Sequence, residues 1–357
     1  MKTKTIRSNN VRGGYCTSSD ELENCSFVKF CLMIAVILYH SIVFWGGNWF
    51  KVLTPAIQAP TLGVLAKWLN SFHVYGFTLV SGYIFRYLKL EKGRYQLFAP
   101  FVVSKVKRLI VPYLFTCVAW VIPISYVFYR YTAFDIVKQY VLGTSPSQLW
   151  FLLMLFWVYI LGWICSKVID KGGYLPGILC IASYIVGILA NKVLPNLFMI
   201  WTAFTYFPCF IVGMQLRKNK NHKENLIVLL ALDVALFILS DYLGTREGTM
   251  YGVLLLASNY FLHIIGAVAA FSVFQRIANV TAWKTNKVVS KLIMYSMTIY
   301  LFHQQFIYFA VFAMNGKISP YIHGIINFIV AILGAWLVSY GMSMTKITQF
   351  LTGHKEL

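Results

Sequence analysis

Apolar residues come in long blocks along most of the chain, separated by short polar stretches. A helix needs about 20 mostly apolar residues to cross a bilayer core. Runs of that kind lie at 27–45, 68–88, 109–129, 149–168, 174–190, 197–216, 226–243, 251–274, 289–312 and 321–343. The second is polar for a span and the fifth is short. Pro112 and Pro176 stand near the starts of the third and fifth runs and fit first-turn positions. Pro123 and Pro208 fall inside runs and predict kinks. The pattern predicts an all-α fold, a polytopic membrane helix bundle of about ten transmembrane helices. The expected domains are an N-terminal tail over 1–26, a ten-span membrane domain over 27–343 and a C-terminal tail over 344–357. No small-residue cleavage pattern follows the first run, which reads as a retained signal anchor.

Composition agrees. Hydrophobic residues make up 59% of the chain and charged residues only 12%, half the share of about 25% in soluble proteins. A soluble core could not hide that much apolar surface. The formal net charge of +20 comes from 31 Lys and Arg against 11 Asp and Glu. These bases lie mainly between apolar runs, which suits anionic lipid headgroups and argues against nucleic acid. With the N-terminus inside, 23 fall on inner segments, 7 on outer ones, and Lys29 lies within the first run. That bias predicts both termini on the cytoplasmic side. The seven cysteines include no Cys-x-x-Cys pair and lie mostly in apolar runs. They read as small core residues, with neither a disulfide framework nor a metal site expected.

Ionisable groups inside a bilayer mark function by default. At about 1.5 Å per residue, His40, His73 and His303 fall roughly 6, 9 and 4 Å outside the midplane, and Lys29 roughly 10 Å inside it. Eleven residues of helix turn through about 1100°, only about 20° beyond three turns, so Lys29 and His40 share a face. Arg86, Lys105, Lys107 and Arg108 gather at the inner end and suit the mouth of a site for a polyanion. His263 and Asp233 lie deeper. His263 reads as structural, and Asp233 is expected to pair with His263 or Asn259.

Several segments then point one way. The Lys29-x10-His40 spacing in FVKFCLMIAVILYHS resembles the first-span Arg-x10-His motif of the acyltransferase-3 family. FHVYGFTLVSGYIF, from Phe72 to Phe85, resembles its second-span signature. KVKRLIVPY, from Lys105 to Tyr113, is similar to its Arg-x-x-Arg followed by proline. LWFLLMLF from Leu149 and SMTIYLFH from Ser296 match further segments. Lys29 and Lys105 stand where arginine is usual, which replaces a bidentate fork with a point charge.

The resemblance implies an integral membrane O-acyltransferase, with acetyl the expected group. The donor is a cytoplasmic acyl-coenzyme A used as co-substrate, with no bound cofactor. The acceptor is a hydroxyl of a cell-surface or lipid-linked glycan, and the expected location is a cell membrane, the bacterial inner or plasma membrane. On that reading His40 is the general base, assisted by Lys29, while Arg86, Lys105 and Arg108 guide the donor. His73, Ser81, Trp150 and His303 support the site or bind the acceptor. Ser81-Gly82 also reads as close helix packing, and Trp150 as an interfacial anchor. The rival reading is a non-enzymatic transporter or flippase of a lipid-linked sugar. Transporters of that kind often carry paired inverted halves, and none is visible in the sequence.

Overall fold

A computed structural model of the chain describes residues 18–47, 49–220 and 224–353. Ten long helices account for most of it: α1 Ser18–Ile42, α2 Pro60–Arg86, α3 Phe98–Tyr129, α4 Trp150–Lys171, α5 Leu175–Val193, α6 Ile200–Lys218, α7 Leu226–Gly244, α8 Thr249–Val280, α9 Lys287–Met314 and α10 Pro320–Met342. Among the described residues, nine helical stretches are long and apolar enough to cross a membrane. They correspond to nine of the ten predicted runs. The tenth is α2, which is as long as the others but more polar. Its polar groups are tolerated because most of the helix is buried, packed against α1, α6 and α8. The all-α polytopic bundle read from the sequence is what the chain forms.

Helix α1 begins at Ser18, ahead of the apolar run at 27, so the predicted tail is partly helical. Helix α3 starts at Phe98 and not near 109, which moves Pro112 from the expected first turn to the helix interior. The helix absorbs it by widening. Val106–Ile110 and Cys117–Val121 form turns with i→i+5 hydrogen bonds, just before Pro112 and Pro123. A proline removes one donor and its ring crowds the carbonyl four residues back. A π-turn immediately upstream relieves both. Pro176 does sit in the first turn of α5, and α6 runs through Pro208.

Helices α2 and α6 cross with their backbones in contact. A Cβ at Gly82 would lie 2.0 Å from the carbonyl oxygen of Phe210, and one at Gly213 would lie 2.0 Å from that of Leu79. Small residues allow this approach between helices in a membrane. The bundle has a charged end. Arg217 at the end of α6 is buried between Glu21 of α1 and Glu91 just after α2, and Lys284 contacts Glu23. These contacts bring together chain segments that the charge count assigns to one side.

Candidate active site

The end of the bundle opposite Arg217 holds a cavity of about 510 Å³, within the usual range of about 300–1,000 Å³ for ligand sites. Helices α1, α2, α3, α4 and α9 wall it, together with the chain between α1 and α2 and between α3 and α4. His40, His73 and Trp150, three of the residues singled out in the sequence, line it. Its walls otherwise carry aromatic rings, hydroxyls and amides, with Lys51 as the charged lining residue.

His40 sits in the last turn of α1. Its ring centroid lies 4.8 Å from Tyr39, 5.7 Å from Trp49 and 5.2 Å from His303. The Nδ1 of His40 is buried without a partner, so Nε2 is the ring nitrogen on the cavity side. His73 lies 2.6 Å through Nδ1 from the carbonyl oxygen of Leu69. A carbonyl only accepts, so this Nδ1 bears the proton. His303 sits behind His40, fully buried, with Nδ1 2.7 Å from the carbonyl oxygen of Tyr300. Among the described residues these histidines do not gather into a set able to hold a metal ion.

The residues expected to guide the donor lie away from this cavity. Lys105 is buried, with Nζ 3.7 Å from the Tyr159 ring centroid, 4.9 Å from Tyr95 and 5.3 Å from Phe101. Among the described residues its charge meets rings, not a carboxylate, and Arg108 and Lys29 act on it as like charges. Lys29 is partly buried and Arg108 is exposed. Arg86 is already engaged, with Nη1 2.6 Å from Oδ1 of Asp170. The Ser81 hydroxyl donates to the carbonyl oxygen of Phe77 at 2.8 Å, beside the glycine contact of α2 with α6.

The expected pairing of Asp233 is not formed. Asp233 accepts from Trp68 Nε1 at 3.0 Å instead of meeting His263 or Asn259. His263 approaches the carbonyl oxygen of Ser71 at 2.8 Å and stacks on Tyr75 at 3.9 Å. Both contacts reach α2, from α7 and from α8.

Part of the site escaped the sequence reading. Gln148 Nε2 donates to the carbonyl oxygen of Leu301 and to Gln305 Oε1, each at 2.9 Å. Ser147 donates to Gln148 Oε1 at 2.8 Å and accepts from Gln304 Nε2 at 3.1 Å. Trp120 closes the network on Gln305 at 3.1 Å. This lattice ties the chain before α4 to α9 and sets the cavity wall. Ser147 holds it from a left-handed backbone, φ 51°, a strained state that tends to persist at functional sites. The available signal was Gln304-Gln305 directly after His303, inside an apolar run where buried amides need partners.

A family model described as an acyltransferase domain matches residues 24–344, from within α1 to just past α10. No curated protein and no solved structure matches the chain.

Proposed function

The chain belongs to the acyltransferase-3 family, and on that premise we propose that it moves an acyl group from cytoplasmic acyl-coenzyme A to a hydroxyl of a cell-surface or lipid-linked glycan, with His40 as general base. It is a multi-pass membrane protein of acyltransferase type. Acetyl is the acyl group we expect, and a cell membrane the location.

The observation that carries the reading is the setting of His40. One ring nitrogen is enclosed and the other is on the side of a cavity lined by Trp49, Trp150, Tyr129 and Tyr308 as well as Gln148 and Gln304. Aromatic faces with a few fixed polar groups suit a polyhydroxyl ring better than an ion or a lipid tail. A sugar hydroxyl is a poor nucleophile until a base takes its proton as it attacks the thioester carbonyl. The C–S bond breaks as the new C–O bond forms, and the hydroxyl proton held by His40 passes to the departing thiolate. A base and then an acid are needed at one place, which suits an imidazole.

The cations are the second support. Coenzyme A is a polyanion, and Lys29 lies eleven residues before His40, roughly 16 Å along the helix. Lys105 is a charged neighbour of Lys29 and also of Arg108. Arg86 is a weaker candidate than the sequence suggested, since Asp170 already meets its charge.

The test is mass spectrometry of surface glycans from cells with and without this gene. The reading requires an ester-linked acyl group that disappears with the gene. Identical glycan profiles would contradict it.

A further inference from the structure

A general base must present a lone pair, and a neutral histidine has two ways of holding its proton. Only the Nδ1–H form of His40 leaves Nε2 free on the cavity side. His303 supplies a reason for that form.

His303 Nδ1 is 2.7 Å from the carbonyl oxygen of Tyr300, so the neutral ring carries its proton on Nδ1. Its Nε2 is then a bare acceptor, and it is buried with no partner. The neighbouring ring is His40, 5.2 Å away between centroids, whose Nδ1 is also buried with no partner. Leaving two such atoms unpaired is costly. Two imidazoles joined by one N–H···N bond have centroids roughly 5 Å apart, a ring radius on each side of an N···N distance near 2.9 Å. The observed separation has room for one such bond, which neither nitrogen makes in the structure. A modest turn of the His40 ring, whose terminal torsion is broad, completes the bond.

We propose that His303 is the positioning residue that holds His40 in its reactive tautomer, by accepting the Nδ1 proton of His40 at Nε2. This rests on the assignment of His40 as base. The chain of donors and acceptors runs from the carbonyl of Tyr300 through His303 to His40, and ends in a lone pair at the cavity. When His40 takes the sugar proton at Nε2 it becomes an imidazolium, and its Nδ1–H bond to His303 steadies that charge. His303 orients and stabilises without itself moving a proton, the part a carboxylate plays in a Ser-His-Asp triad. The reverse tautomer would set a hydrogen against the incoming hydroxyl and leave no base.

The test is solid-state ¹⁵N NMR of the full chain, labelled at histidine, in liposomes, with the His40 signals identified by their loss in His40→Gln. The expected result is a protonated Nδ1 and an unprotonated Nε2 at His40. His303→Leu should shift His40 toward the Nε2–H form. His303→Gln should preserve the wild-type form, because its amide can accept from His40 and donate to Tyr300. Glycan acylation in cells should follow the tautomer. His303→Leu falls about 10²-fold or more, by analogy with removal of a triad's orienting group, and His303→Gln retains much of the activity. An Nε2-protonated His40 in the wild-type protein overturns the proposal, as does an unchanged tautomer in His303→Leu. The expected tautomer in a protein whose cells show no glycan acylation supports the histidine pair and overturns the acyl-transfer reading instead.

Discussion

The ammonium of Lys105 lies 3.7 Å from the centroid of the Tyr159 ring and is buried. A cation–π contact returns about 2 kcal/mol when desolvated, less than the several kcal/mol that burying an ion costs. A polyanionic ligand at this end of the bundle would make up the difference. If the donor's phosphates serve that purpose, Lys105→Met, which keeps the aliphatic stem among the rings, should weaken acyl-coenzyme A binding. A charge-assisted contact is worth about 1.5–3 kcal/mol, so Kd should rise roughly tenfold to a hundredfold. Calorimetry with acetyl-coenzyme A and the purified chain measures it. An unchanged Kd removes Lys105 from the donor site.

Orientation is a separate question from packing. The antiparallel helices gather Glu21, Arg217 and Glu91 at one end and the cavity at the other. The charge bias assigns the first end to the cytoplasm. Single cysteines at Arg94 and Lys220 should then resist an impermeant thiol reagent applied to intact cells, whereas cysteines at Lys51, Ser145 and Gly316 should react. The reverse pattern would invert the bundle and put the cavity on the donor's side.

Glu91 holds Arg217 with both carboxylate oxygens, at 2.7 Å to Nε and 2.5 Å to Nη2. That hydrogen bonding keeps the Glu91 carboxyl below its ordinary range. A group depressed in the folded state contributes stability above its unfolded value, and the contribution fades as pH falls through the folded one. Neutral pH therefore keeps the contact intact, and only acid below the usual glutamate range removes it. Glu91 is partly exposed, so water screens the pair and Glu91→Gln should cost only about 1 kcal/mol at pH 7. Thermal unfolding in detergent at neutral and acid pH checks this. A wild-type advantage over Glu91→Gln that grew on acidification would contradict the sign.

The spans were legible because the bilayer demands long apolar runs, and α2 was legible only as an exception, being polar and central. His40 and His73 could be chosen from depth and spacing, since each lies on one continuous helix, whereas Trp150 came only through the family resemblance. The wide turns before Pro112 and Pro123 were not legible, because a proline shows where a helix must yield but not how. Nor was the ion pair of Arg86 with Asp170, since those residues are far apart in sequence and counting Lys and Arg reads Arg86 as a topology signal and leaves Asp170 out. The lattice of Gln148, Gln304 and Gln305 depends on how the chain before α4 folds back on α9. Two adjacent glutamines in an apolar run announce a need for partners without naming them.

The central claim is that His40 takes a proton and does more than fill space. Glutamine at this position can hydrogen-bond but cannot act as a base near neutral pH. The decisive measurement is glycan acylation by His40→Gln in cells, at a protein level matched to wild type and with an unchanged melting temperature for the purified variant. The account predicts a fall of about 10²–10⁴-fold, the usual worth of a positioned base, with acetyl-coenzyme A still bound. Near-normal acylation by His40→Gln would contradict it.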